Sequence, residues 1–570
     1  MTTTEPSRRV RASRFDAEHP HYRWVALSNT TLGMLLATVN ASIVLISLPA
    51  IFRGIHLDPL EPGNVSYLLW MIMGFLVVSA VLVVLLGRLG DIYGRVKMYN
   101  LGFLVFALSS VALSLDPLEQ GQGAMWLIVF RVVQGVGGAM IFANSTAILT
   151  DAFPADQRGM ALGINNVAAV AGSFIGLVVG GLLSEWDWRA VFWVSVPIAI
   201  LGTVWGYHSL RELGTRRTSQ MDWWGNLTFA VGLTAVLVAI TYGIQPYGGH
   251  ATGWTNPWVV AGLVGGVLLL VAFVVIENRV ADPMFSMHLF RIRPFAAGNL
   301  ASVLAATARG GMQFMLIIWL QGIWLPLHGY DYESTPLWAG IYLLPLTVGF
   351  LVAGPLAGRL SDRYGARLFA TGGLVLVAAT FVGFLLIPVD FDYWVFALLL
   401  LVNGIASGLF AAPNATQIMN SVPADQRGAA SGMRGTFMNS GSALSIGIFF
   451  SLMIAGLASS LPTSLRSGLT AQGVPADVAG QVADLPPVGS LFASFLGYNP
   501  IQTLLEPSGT LDRLPADHAA TLTGKQFFPD LISQPFHDGL VVVFLAAAIM
   551  SLVAAVASAL AGAHYVHEED

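Results

Sequence analysis

The chain has 570 residues, of which 55% are hydrophobic and only 10% charged, with a mean hydropathy of +0.69. A soluble domain carries about 25% charged residues, so most of this surface faces lipid. The lack of cysteine excludes a disulfide framework and any thiolate site, and a net charge of −5 decides little, because in a membrane the distribution of charge outweighs its sum.

Residues 1–23 are polar and carry Arg8, Arg9, Arg11, Arg14 and Arg23. The apolar run from Trp24 to Phe52 is too long for a signal-peptide core and has no small-residue cleavage site, so a retained cytoplasmic tail is expected. Runs long enough to cross about 30 Å of hydrocarbon predict helices near 24–52, 66–87, 98–115, 124–149, 160–184, 189–208, 222–244, 257–276, 295–325, 336–358, 367–389, 393–418, 428–458 and 538–562. These fourteen spans put both termini on one side. Lysines and arginines number 19 in the segments predicted inner, 5 in those predicted outer and 3 within spans, a bias that places both termini in the cytoplasm. Few lysines and many alanines, glycines and arginines point to a high-GC bacterial genome, and so to a multi-pass protein of the bacterial plasma (inner) membrane.

Two motifs recur. GRLGDIYGRVK (Gly87–Lys97) returns as GRLSDRYGAR (Gly358–Arg367), with Asp91 matched to Asp362 and Gly94 to Gly365, 271 positions apart. PADQRG at Pro154–Gly159 returns at Pro423–Gly428, 269 positions apart. Nearly equal offsets mark a duplicated unit. The predicted domains are a cytoplasmic tail (1–23), an N-terminal six-helix half (24–210), two inserted helices with linkers (211–294), a C-terminal half (295–562) and a short tail (563–570). The long outer loop, 460–537, holds amphipathic stretches at Val474–Leu485 and Leu491–Leu505, which predict a small ordered cap.

In the first motif Gly87, Gly90 and Gly94 allow a tight turn and close helix approach. A carboxylate at Asp91 can accept from Arg95 or from a helix N-terminus and release both when two halves rock. With its second copy (Gly358, Asp362, Gly365) the motif reads as a conformational latch; the competing reading is that its charges only set topology. Gly172, Gly176 and Gly180 share one face of helix 5 and predict a smooth seam for the other half to move against.

Arg131 lies inside the apolar layer of helix 4, where an unpaired charge costs about 2.5–3.5 kcal/mol on insertion scales. The repeat offset carries Asn40 to Arg309 in helix 9 and Asn165 to Arg434 in helix 13. Gln134, Asn144, Gln313, Asn403, Asn414 and Gln417 add neutral donors and acceptors, and Trp70, Phe75, Met312, Met315 and Trp319 add apolar walls. Arg309 is expected to line a central cavity, with amides such as Asn40 across the pseudo-twofold axis as partial partners. Interhelical bonding or snorkelling is the alternative for each. No aspartate, glutamate or histidine falls in the middle of a predicted span, which excludes an intramembrane carboxylate, imidazole or thiol catalyst and leaves no mid-membrane proton carrier.

These motifs resemble those of the major facilitator superfamily, and within it the fourteen-helix drug:proton antiporter family. GRLGDIYGRVK is similar to the superfamily's loop motif between helices 2 and 3. LIVFRVVQGVGGA (Leu127–Ala139) is similar to its helix 4 motif, and GSFIGLVVGG (Gly172–Gly181) to the antiporter motif, with Leu177 where a proline is usual. WRAVFWVSVP (Trp188–Pro197) and DWWGN (Asp222–Asn226) resemble the fourteen-helix branch. The resemblance implies an all-α polytopic fold of two pseudo-symmetric six-helix halves plus two inserted helices. It also implies proton exchange at Arg131 opposite a helix 1 carboxylate, a place held here by Asn40. The expected function is secondary active export of hydrophobic or amphipathic compounds by alternating access. The alternatives are export of lipids or anionic amphiphiles without a standard proton carboxylate, and a scaffold or receptor acting through the outer loop. No cofactor, metal or nucleic acid is implied; the partners expected are the substrate, a proton, membrane lipid and an envelope protein at the outer loop.

Overall fold

A segment in hydrocarbon has no water to satisfy its peptide groups, so it pairs them along its own axis and folds as a helix. The computed structural model describes residues 21–58, 61, 63–213, 222–280, 283–423, 426–497 and 499–561. The tail arginines Arg8, Arg9, Arg11 and Arg14 and the C-terminal tail lie outside the described residues. Fourteen helices are long and apolar enough to cross a membrane, as the sequence predicts. In order they are α1 (Tyr22–Gly54), α2 (Asn64–Tyr93), α3 (Arg95–Ser114), α4 (Gln120–Ala152), α5 (Met160–Trp186), α6 (Ala190–Ser209) and α7 (Trp223–Gly243). There follow α8 (Pro257–Glu277), α9 (Arg293–Leu327), α10 (Thr335–Ser361), α11 (Ala366–Leu386), α12 (Tyr393–Asn420), α13 (Ala429–Ala471) and α14 (Phe527–Leu560). Among the described residues no strand forms, and one isolated bridge, Tyr247 to His250, closes the α7–α8 turn.

The packing of one half repeats in the other. In the first, α1 lies on α5 while α2 and α3 flank α4; in the second, α9 lies on α13 while α10 and α11 flank α12. The halves meet along two flanks, α5 against α10 and α2 against α13. Inserted helix α7 touches both α2 and α13, so the pair borders both halves at that flank. In its most apolar window α1 is 83% buried and α8 only 17%, which makes α1 core and turns α8 toward lipid. The first free amides of α7, α8 and α12 are accepted by the side chains of Asp222, Asn256 and Asp392.

At the end away from the Gly87–Lys97 loop, here the cap side, helices run past their predicted limits. Helix α13 has 43 residues; at 1.5 Å each it is about 65 Å long, roughly twice the hydrocarbon thickness, and its last turns rise into the cap. Helix α14 begins at Phe527 rather than near 538, and α9 contains a π-turn over Leu320–Trp324. Between α13 and α14 the chain forms short helices at Ala476–Ala483, Pro487–Phe495, Pro500–Leu505 and Ala516–Leu522. The second of these is buried from Ser490 to Phe495. Ser494 Oγ donates to the Gly322 carbonyl inside the π-turn at 2.6 Å, and Phe492 stacks on Phe450 of α13 at 4.8 Å. Arg53, at the end of α1, donates to the Leu496 carbonyl at 3.2 Å.

Candidate functional site

In the N-terminal half the only arginine of α4 is enclosed by neutral acceptors. Arg131 is 2% exposed. Its Nη1 donates to Asn40 Oδ1 at 2.5 Å and Gln134 Oε1 at 2.8 Å, its Nε to the Met71 carbonyl at 3.3 Å, and its guanidinium lies 4.6 Å from the Phe75 ring centre. The acceptors are fixed in turn: Asn40 Nδ2 donates to Ser195 Oγ at 3.1 Å and Gln134 Nε2 to Ser110 Oγ at 2.8 Å. Five side chains on α1, α3, α4 and α6 thus form one buried network. Asn40 belongs to Arg131 inside this half. The expectation that it faces Arg309 across the pseudo-twofold axis is corrected by that contact.

The C-terminal half keeps part of this arrangement and changes the rest. Asn403, 269 positions after Gln134, donates through Nδ2 to Thr380 Oγ1 at 2.7 Å, repeating the Gln134–Ser110 pair. Leu400 stands 269 positions after Arg131, so α12 brings no cation. Arg309 of α9 and Arg434 of α13 instead reach a cavity of about 40 Å³, with Asn403, Ser302 and Ser407 beside them and Phe381, Phe410 and Met312 on its walls. Asn414 borders the same region, donating to Ser302 Oγ at 2.8 Å and the Gly298 carbonyl at 3.2 Å. Gln313 is half-buried on α9.

Asn144 and Asn165 serve contacts within the first half. Asn165 donates to Ser145 Oγ at 3.1 Å. Asn144 donates to the Met140 carbonyl of its own helix at 2.8 Å and lies directly over Gly90. A Cβ at Gly90 would collide with it, so Asn144 supports the α2–α4 approach beneath the loop motif.

At the motif, Arg95 is held by two acids: Asp91, at 2.7 Å across the α2–α3 turn, and Asp151 from the end of α4, at 2.5 Å. A third, Glu212 beyond α6, accepts from the backbone amides of Arg95 at 2.7 Å and Val96 at 3.2 Å, which cap the start of α3. Gly94 has φ +112°, and a Cβ there would sit 2.7 Å from Glu212 Oε2. Gly87 packs toward Ala143 with ordinary contact. Arg88 donates to the Pro283 carbonyl in the linker after α8 at 3.1 Å. Among the described residues every partner of Arg95 comes from the N-terminal half or, for Glu212, from the start of the linker that follows it. In the second copy Gly365 has φ +92° and Gly358 packs on Ala412, while the side chain of Asp362 lies outside the described residues. Sequence reasoning singled out Asp91 and Arg95 but not Glu212 or Asp151 as their partners, because only the way α4 and α6 end beside α3 brings them there.

The stripe Gly172, Gly176 and Gly180 packs against Thr38, Val39 and Ile43 of α1, in the same half. The expectation that the other half moves over it is corrected: the facing helix belongs to its own half. The next residue makes the contact between halves. A Cβ on Gly181 would lie 2.5 Å from Leu337 Cα, and one on Gly340 2.9 Å from the Leu177 carbonyl oxygen, so α5 and α10 meet backbone to backbone on the cap side. Beside that seam the ends of α1, α5 and α6 frame an open cleft of about 690 Å³, lined by Arg53, Glu185, Trp186, Trp188, Trp193 and Glu333.

The sequence model of the Major Facilitator Superfamily matches residues 30–222 and 221–446. The chain belongs to the major facilitator superfamily. Along 93% of its length it is 26% identical to the tetracenomycin C resistance and export protein of Streptomyces glaucescens, covering 90% of that protein. It is 25% identical to the riboflavin transporter RibZ of Clostridioides difficile over 76% of this chain and 89% of that one. Its fold is similar to that of a bacterial homologue of the human lysosomal transporter Spinster in an inward-facing, unoccupied conformation, with a TM-score of 0.54, 14% identity and coverage of 95% and 98% of the two chains. Membership makes this facilitator a multi-pass membrane transporter, not an enzyme.

Proposed function

We propose that this facilitator exports hydrophobic or amphipathic compounds by alternating access, with the Gly87–Lys97 loop and both termini in the cytoplasm. The observation that carries the reading is the α5–α10 seam. At Gly181 and Gly340 the halves touch without interlocking side chains, so that flank can part without breaking an ion pair. The export of tetracenomycin C by a relative aligned along nearly the whole chain supports the direction and the substrate class. Proton exchange enters on the family resemblance. Asn40 stands where that resemblance places a carboxylate, so Arg131 has amides rather than an acid beside it.

The test is uptake into sealed inside-out vesicles of matched cationic, neutral and anionic amphiphiles, with and without a pH gradient. Accumulation of at least one class, lost in Asp91→Asn at unchanged protein level, is expected. No accumulation above that of Asp91→Asn vesicles removes the export reading, and transport unaffected by collapsing the gradient removes proton coupling. A second reading, delivery of lipid-like amphiphiles to the outer leaflet, is favoured by the cap-side cleft. Its three tryptophans and Arg53 are the residue types that settle at a membrane interface.

A further inference from the structure

The four helices around the 40 Å³ cavity of the C-terminal half, α9, α11, α12 and α13, contain no aspartate or glutamate anywhere along their length. They nevertheless deliver two arginines to it, Arg309 and Arg434. Arg434 is 9% exposed, and its Nε is buried with no hydrogen-bond partner. Among the described residues no ion pair reaches either guanidinium. The contrast with the other half is direct, because there Arg131 spends its donors on Asn40, Gln134 and the Met71 carbonyl. Two like charges share a low-dielectric space and repel, and each is costly without a counter-charge. Water or amides can accept their hydrogen bonds but cannot cancel the charge.

We infer that this cavity is an anion site that takes the carboxylate or similarly small anionic head of an amphipathic substrate; the inference deepens, and rests on, the export reading above. The volume suits a group of a few heavy atoms, since one water needs about 10–15 Å³ on the same measure. Two planar guanidinium groups give the fork geometry that carboxylates fit. Ser302 already accepts from Asn414, so its own hydroxyl hydrogen is free to donate to an anion. The apolar side of the cavity, Met312, Leu374, Val377, Phe381, Phe410 and Met438, meets the first carbons of a tail.

The experiment measures binding to the purified full-length protein in zwitterionic nanodiscs, by calorimetry and thermal shift, so that it does not depend on transport. The probes are dodecanoate, dodecyltrimethylammonium, a neutral dodecyl maltoside and chloride. Arg309→Gln and Arg434→Gln should each weaken dodecanoate by about tenfold or more, the size of one charge-assisted hydrogen bond, and leave the cation and the neutral probe unchanged. Arg434→Lys, which keeps the charge but loses the fork, should recover part of the loss and guards against a glutamine variant that fails to fold. Chloride that competes with dodecanoate supports the same site. Chloride binding without dodecanoate binding would overturn the substrate-head assignment in favour of a free inorganic ion. Equal losses for anion and cation, or none for either, would overturn the anion site. Anion binding that follows this pattern in a protein that moves nothing in vesicles would instead place the failure in the export reading.

Discussion

Arg131 and Arg95 show how the same residue type is paired in two solvents. Deep in the bundle, where a carboxylate would itself be expensive, Arg131 is held by amides; at the loop, near water, Arg95 takes two acids. Replacing Asn40 by aspartate should put an ionised acceptor on Arg131 Nη1, with the Ser195 hydroxyl turning to donate. The gain of a charged acceptor is offset by the desolvation of the new carboxylate, so Asn40→Asp should leave the thermal midpoint nearly unchanged and steepen any dependence of transport on the pH gradient. A lowered midpoint with no change in pH-gradient dependence would mean that the network is built for a neutral acceptor. At the loop, Gly94→Val adds a side chain at φ +112° beside Glu212. Strain of this kind costs about 1–3 kcal/mol and should abolish transport while membrane insertion, read by extraction and abundance, stays normal. Loss of insertion with it would make the motif topological. The Asp91–Arg95 pair was legible in the chain because the two residues lie four positions apart across the single glycine that joins α2 to α3. Asp151, Glu212, Ser110 and Ser195 were not, because ordinary serines and helix-end acids acquire partners only when distant helices are packed.

Elements were legible where one physical term dominated. Lipid forces long apolar runs into helices, so all fourteen could be located from hydropathy. The ends of α13 and α14 were not, because outside the membrane apolar and polar residues alternate and the hydropathy signal fades. There the cap helix Pro487–Phe495 is positioned by tertiary packing on Phe450 and the α9 π-turn. Phe492→Ala should therefore cost about 3–5 kcal/mol, seen as a lowered midpoint. Removal of 465–530 would also delete the buried Leu465 and Leu469 of α13, so a shorter cut within the cap is the cleaner deletion. Besides its packing on α2, the cap has a polar link to the other half, Arg53 to the Leu496 carbonyl. Because the chain has no native cysteine, Ser490→Cys gives a background-free reporter. Its labelling by an impermeant maleimide should speed up in Arg53→Ala; an unchanged rate would show that this bond does not hold the cap down.

At the scale of the molecule, duplication explains both what repeats and what does not. The α1–α5 and α9–α13 pairings and the Gln134–Ser110 and Asn403–Thr380 bonds are shared, whereas the cation of helix 4 has no counterpart on α12 and two arginines enter from α9 and α13 instead. The repeat offset could find the halves but not their relative motion, since it says nothing about which glycine faces which half. Gly172, Gly176 and Gly180 tie α5 to α1, and only Gly181, one position round the helix, faces α10. A wedge at each face should therefore act differently. Gly176→Val, against Val39, should distort one half and lower stability. Gly181→Val and Gly340→Val should separate the halves on the cap side, holding them apart there and slowing turnover at nearly unchanged abundance. A cysteine placed at Leu337, which faces Gly181, would report this, with labelling from the cap side rising above the parental rate in both wedge variants. If the wedges unfold the protein as Gly176→Val does, or leave labelling and turnover at parental levels, α5 and α10 are not the flank that opens.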